Sequence, residues 1–272
     1  MRKSVNEGRE NGRVFFCSID KGWEVSMLAA SRMKLNEWQS YWNELGKDDP
    51  LWVVLTDPSK KGGKWDPEEF FAIGEKEIQT EVVDYLNGKG FPFRKGVALD
   101  FGCGVGRLSQ GLARHFEKVH GIDISASMLE HARKFNRHGE RVKYHLNSSN
   151  RLEAIADNSV DLIYSNIALQ HIEPKEQLGY IRDFVRVLRP GGIALFQVLE
   201  PTLGRRLFPQ WLVDGYRRRK HAGQAFFGMF GVSDGSVRAL MRQAGAEVLE
   251  ARRARFTWRW VNCWFCVRKN GT

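Results

Sequence analysis

Gly102, Gly104 and Gly106 recur at alternate positions between an apolar run, Val97 to Phe101, and a helical pattern. Glycines placed there permit backbone angles closed to other residues and let a ligand lie against the main chain. Such a turn serves more than one nucleotide-bearing ligand, so its neighbours decide the reading. A dinucleotide fingerprint asks for a small residue at position 107, where Arg107 stands. It also keeps an apolar residue where Asp100 stands, and a carboxylate suits an ammonium or a sulfonium better than a pyrophosphate. Asp123 closes the next apolar run, 21 residues beyond Gly102, and can accept hydrogen bonds from both hydroxyls of a ribose. Two acids and a missing third fingerprint glycine favour S-adenosylmethionine over a nicotinamide.

A sulfonium already carries an activated methyl group, so the protein's task is to align an acceptor and exclude water. A hydroxyl acceptor also needs a base. His171, in Asn166-Ile167-Ala168-Leu169-Gln170-His171, follows the fourth strand-like run and is the candidate; Asn166 and Gln170 could orient cofactor or acceptor. Against it stands a packed, hydrogen-bonded loop histidine. His115 and His120 read as structural. Cys263-Trp264-Phe265-Cys266 has a metal-like spacing, but it lies in an apolar run that reads as a strand, where residues three apart face opposite ways. No second cluster completes a site, and no metal is expected.

The elements that must carry these residues repeat as strand, turn and helix from Val97 onward. Strands are expected at 97–101, 119–123, 142–146, 160–165 and 193–198, and helices at 106–116, 127–136 and 174–188. That alternation predicts an α/β fold, a doubly wound and mostly parallel sheet covered on both faces. Ser233 caps a helix to about Ala244, and runs at 247–251 and 257–267 close the chain as an antiparallel hairpin, giving seven strands. Residues 1–32 read as a flexible arm and 33–90 as a helical N-terminal cap. Asp66-Pro67-Glu68-Glu69 is a strong helix start, with the helix running to about Asn87. Residues 91–272 form the main domain, interrupted at 200–231 by a helical insertion. Trp38, Trp42, Trp65, Phe70 and Phe71 either form an apolar lid over an acceptor, with Gly74 allowing close approach, or merely cover the sheet.

These motifs resemble the class I, Rossmann-like, S-adenosylmethionine-dependent methyltransferases. Val97 to Gly106 looks like their first motif, Gly121-Ile122-Asp123-Ile124-Ser125 like their ribose motif, and Leu188 to Gly192 like the turn before their fifth strand. The resemblance covers about 97–200 closely and the hairpin more loosely. It implies that Asp100, Gly102, Cys103 and Gly104 lie along the methionine part of the cofactor. Asp123 would bind ribose, Ile124 and Met128 would pack on adenine, and S-adenosylhomocysteine would be the product. The family often places an acid after the third strand to meet the adenine amino group. Here Asn147-Ser148-Ser149 stands instead, so an amide, a hydroxyl or backbone would make that contact. A second likeness, Trp65-Asp66 through Phe70-Phe71 to Gly74, is to bacterial methyltransferases of sugars and small metabolites.

A net charge of +10 concentrates at 205–220 and at Arg252, Arg253, Arg255 and Arg259. It is either a solvated basic helix face with arginines on an exposed strand, or it fits an anionic small molecule or glycan as acceptor, or a nucleic acid, though the base-stacking aromatics of the latter are lacking. The expected order is small-molecule or sugar O-methylation, then RNA methylation, then non-catalytic cofactor binding. No run reaches the roughly 18 apolar residues of a membrane span, and Val14 to Cys17 is too short for a signal core, so the expected compartment is the cytoplasm.

Overall fold

The computed structural model describes residues 35–202, 229–255, 257 and 259–271, together with the backbone of 19–20 paired antiparallel to 224–225. The rest of the expected arm, most of the 200–231 insertion and the basic run at 205–220 lie outside the described residues. Among the described residues, no helix is long and apolar enough to cross a membrane.

Seven strands form one sheet: β1 (Val97–Phe101), β2 (Lys118–Asp123), β3 (Val142–Leu146), β4 (Val160–Ser165), β5 (Leu188–Pro201), β6 (Ala246–Arg255) and β7 (Trp260–Lys269). Their spatial order is β3-β2-β1-β4-β5-β7-β6. β1 to β5 pair in parallel, and β7 is antiparallel to both neighbours. The expected doubly wound sheet with its closing hairpin is therefore present.

Strand alternation sorts the apolar runs into two cores. Ala98, Leu162, Tyr164, Ile193 and Cys266 face one side; Leu99, Ile163, Ala194, Cys263 and Val267 face the other. Helices α6 (Pro174–Val187) and α7 (Asp234–Ala244) cover the second face. Helix α4 (Arg107–Ala113) and the continuation of α3 (Pro67–Ile78) cover the first. The two cysteines sit on opposite faces, as the strand reading required, and no group of three metal-ligating side chains exists among the described residues.

Asp66 caps α3, its carboxylate accepting from Glu69 N at 2.9 Å. The expected single helix then widens into a π turn over Gln79–Asp84 before ending at Gly88. Thr80 Oγ1 donates back to Lys76 O at 3.0 Å there, a local bond that competes with the helical ladder. Gly74 lets α3 press on α4, since a Cβ would stand 2.6 Å from Arg107 O. It serves helix packing and not the approach of an acceptor.

Helix α1 (Leu35–Asp48) lies across the start of α5 (Ala126–Phe135) and leads into the short α2 (Pro50–Val54). Ser127 Oγ donates to Asn43 O at 2.8 Å, and Ser125 Oγ reaches Trp42 O and Asn43 Oδ1 at 3.2 and 3.1 Å. The N-terminal helices are thereby tied to the rim of the sheet where β2 ends.

Candidate active site

At the carboxyl ends of β1, β2 and β4 the chain leaves a cavity of about 560 Å³, within the range that holds a cofactor-sized ligand. The chain crosses from β3 at the sheet edge to β4 beside β1, so the crevice lies where strand order reverses. Its floor is the glycine turn. Gly102 N and Cys103 N both donate to Ile122 O, at 2.8 and 3.0 Å, which staples the turn to β2. Gly102 has φ +75°, and a Cβ built there would stand 2.2 Å from Ala168 Cβ. Only a hydrogen fits between the two loops.

Asp123 stands in the cavity wall. Its Oδ2 accepts from Gly104 N and its Oδ1 from Ser125 N, both at 2.8 Å. Burial pushes the carboxyl up, and the surrounding backbone N–H groups pull it back. Each oxygen keeps a lone pair beyond its backbone bond, enough for a pair of ribose hydroxyls. Ile124, Met128, Asn147 and Ser149 line the same end of the cavity, and Asn147 Nδ2 is steadied by Tyr180 Oη at 3.0 Å. Bare glycine backbone, an acid with open lone pairs and an apolar slot beside it form a cradle that fits S-adenosylmethionine.

Trp38, Trp42, Asn166 and His171 line the wall as well. Trp42 meets the imidazole edge-on at 5.4 Å between centroids, and Trp38 meets Phe230 at 6.3 Å. Ile167 adopts φ +61°, a left-handed conformation that a β-branched residue rarely takes. Strain of this kind costs on the order of 1–3 kcal/mol and gathers at functional sites.

Several expected site residues stand elsewhere. Asp100 is 1% exposed, beneath the turn, and is absent from the cavity wall. Its Oδ2 accepts from Ser109 Oγ at 2.7 Å while Oδ1 is buried without a partner. Burial lifts this carboxyl to about 7, against the pull of Ser109 and Arg107. It supports the turn from behind. Cys103 is buried beside it, and burial pushes its thiol up. Ser148 points to solvent. Phe71 is core, packed between Phe70 and Phe135, because α3 turns that stripe toward α5; Trp65 and Phe70 share that core. Gln170 is 7% exposed and faces other side chains, not the wall.

The sequence reading missed three groups. Glu173 and Glu176 line the cavity, and burial together with the neighbouring Glu176 pushes Glu173 up. Flanking Pro174 at the start of α6, they looked like ordinary first-turn acids. Glu77 is the third. Its carboxylate accepts from Asn166 Nδ2 at 2.7 Å, Tyr164 Oη at 3.1 Å and Arg107 Nη1 at 2.9 Å. The Arg107 side chain is 4% exposed, so this is a buried pair. Glu77→Ala is expected to cost about 3–5 kcal/mol by stranding that guanidinium, and to loosen Asn166. Glu75→Ala, which breaks the surface pair with Arg114, should cost under about 1 kcal/mol. Urea unfolding of the two variants checks the contrast; equal midpoints would remove Glu77 from this role.

The second basic cluster is spent internally where it is described. Arg252 lies over the Tyr85 ring at 4.3 Å and pairs with Glu81; Arg253 pairs with Glu200; Arg259 is buried.

Fold and cradle together define a methyltransferase domain of the class I type, and a methyltransferase-domain family model matches residues 98–192. Ubiquinone biosynthesis O-methyltransferase of Azoarcus sp. (strain BH72) is 31% identical over 192 residues, covering 68% of this chain and 78% of that protein. Malonyl-[acyl-carrier protein] O-methyltransferase of Yersinia pestis is 37% identical over 142 residues, covering 52% of this chain and 51% of that protein. The chain thus spans about half the length of the malonyl-carrier enzyme that it matches. Magnesium protoporphyrin IX methyltransferase from Synechocystis PCC 6803, solved with bound S-adenosylhomocysteine, superposes with a TM-score of 0.59 at 18% identity, over 87% of this chain and 100% of that one. The likeness to that structure concerns the fold. The chain belongs to the class I S-adenosylmethionine-dependent methyltransferases.

Proposed function

We propose that this chain is an O-methyltransferase of a small molecule or sugar, with His171 as the base that takes the acceptor's hydroxyl proton. The observation that carries the reading is one cavity whose wall holds Asp123, the glycine turn and His171 together. When bound, the cofactor supplies a methyl whose bond to sulfur breaks as its bond to the acceptor oxygen forms, the electron pair leaving on sulfur. Asp123 holds the ribose, Gly102 and Gly104 let the methionine part lie on the backbone, and Asn166 is held at the junction by Glu77. Trp38 and Trp42 exclude water and give the acceptor an apolar bed. Both curated relatives named above are O-methyltransferases by name, which supports oxygen as the acceptor atom. Glu173 and Glu176 in the wall favour an uncharged hydroxyl over a carboxylate, and an uncharged hydroxyl is the acceptor that needs a base.

His171→Ala is expected to lower kcat about 10²–10⁴-fold while S-adenosylhomocysteine affinity stays within about twofold. Transfer of a labelled methyl to a panel of phenols, sugars and carboxylic acids finds the acceptor. Turnover unaffected by the substitution would end the base assignment.

A further inference from the structure

The reading of His171 as a base leaves open which ring nitrogen does the work, and an imidazole with its proton on the wrong nitrogen is no base at that position. The surrounding amides decide it. Ile167 N–H donates to Gln197 Oε1 at 2.9 Å. A backbone N–H can only donate, so the Gln197 side chain is fixed with its oxygen there and its nitrogen on the far side. Gln197 Nε2 then donates to Gln170 Oε1 at 3.2 Å. That in turn fixes Gln170, whose Nε2 lies 3.2 Å from His171 Nε2. A donor amide facing a ring nitrogen requires that nitrogen to carry the lone pair. Gln197 and Gln170 are 3% and 7% exposed, so neither can trade its partner for bulk water. Gln170 O also accepts from Phe230 N at 2.8 Å, which pins the backbone on which the relay stands.

We propose that Gln197 and Gln170 are positioning residues for methyl transfer, a two-amide relay that sets His171 in the Nδ1–H tautomer with Nε2 as the proton-accepting nitrogen. The relay begins at the strained residue of the loop, so one side chain, Gln197, both holds Ile167 in its left-handed conformation and sets the direction of every donor after it. The bare ring nitrogen has one lone pair, so an acceptor hydroxyl must displace the Gln170 amide, whose 3.2 Å contact lies at the long end of the hydrogen-bond range. Free histidine prefers the opposite tautomer, so the effect is visible without any substrate. The inference rests on the base reading for its consequence in catalysis, but not for its geometry.

The test is ¹⁵N NMR of the full chain with S-adenosylhomocysteine added, the His171 signals being those lost in His171→Ala. The wild type is expected to show a protonated Nδ1 and a bare Nε2. Gln197→Glu keeps an acceptor for Ile167 N–H but, as a carboxylate, offers Gln170 no donor. Gln170 then turns its amide over and presents oxygen to the ring, and the protonated nitrogen switches to Nε2. Gln170→Leu, which removes the relay's last donor and keeps the side-chain bulk, should also release the ring to the Nε2–H form. In both variants kcat is expected to fall about tenfold or more, with KM for the cofactor within about twofold. A wild-type ring protonated on Nε2, or a pattern unchanged by both substitutions, overturns the relay. The expected switch of nitrogens with undiminished turnover overturns the base reading and leaves the relay standing.

Discussion

Gly102→Ala is expected to abolish cofactor binding, with calorimetric affinity for S-adenosylhomocysteine falling by about 100-fold or more. Two independent costs act at this one position. The backbone has φ +75°, where an L side chain loses roughly 1–2 kcal/mol. The added methyl would also lie 2.2 Å from Ala168 Cβ, far inside any real contact. It can be relieved only by moving the 166–168 loop away from the turn. That movement carries Asn166 off Glu77 and disturbs Ile167, whose N–H starts the amide relay, so the damage spreads beyond the turn itself. Gly63→Ala is the control. Its φ is +73° and nothing lies within 4 Å of the added Cβ, so it should show the backbone cost alone and leave affinity unchanged. Similar affinities for the two variants would mean that the glycine turn does not bind the cofactor.

Asp123→Ala should weaken S-adenosylhomocysteine binding by about 100-fold or more while the chain stays folded. Hydrogen bonds to a charged group contribute about 1.5–3 kcal/mol each, and two hydroxyls are at stake. Asp123→Asn is expected to be nearly as damaging, which distinguishes this site from a simple charge contact. Both carboxylate oxygens already accept from backbone N–H groups of Gly104 and Ser125. An amide must turn its NH₂ toward one of those donors, so it either breaks that bond or twists out of the wall. Calorimetry with the asparagine variant at near wild-type affinity would place the ribose elsewhere.

What the sequence made legible was local. A short apolar run, a glycine turn and a helix start occupy ten adjacent residues from Val97 to Gly106, and nothing far away is needed to read them. Asp123 and Asn147 were equally accessible because one ends and the other directly follows a strand of the same sheet. Boundaries were less so: β5 begins at Leu188, not Ile193, since Val160 pairs with Leu188 across an irregular register. Long-range partners were out of reach. Glu77 meets Asn166 across 89 residues, and its spacing on α3 says only that it faces inward. Phe71 was indistinguishable from a lid residue because an aromatic stripe looks the same against core or cavity. Gln197 did leave a trace, an uncharged polar residue inside the apolar run Ile193 to Leu199. A buried amide in such a place must find partners, and those partners proved to be Ile167 N and Gln170 Oε1 in the loop after β4.

Leu35, Trp38, Trp42, Val53 and Val54 all belong to helices that precede the first strand, yet they line the same cavity as Gly102, Gly104 and Asp123. The glycine turn and Asp123, by contrast, lie between Phe101 and Asn147. If Trp38 and Trp42 bed the acceptor as proposed, the choice of acceptor is carried largely by the leading helices and the grip on the donor largely by the sheet. On that reading, exchanging the leading helices for those of a relative is expected to redirect which compound is modified, with donor affinity shifting only through the contacts those helices make to Ser125, Ser127 and Gly104, and a lineage can diversify its chemistry that way without rebuilding the sheet.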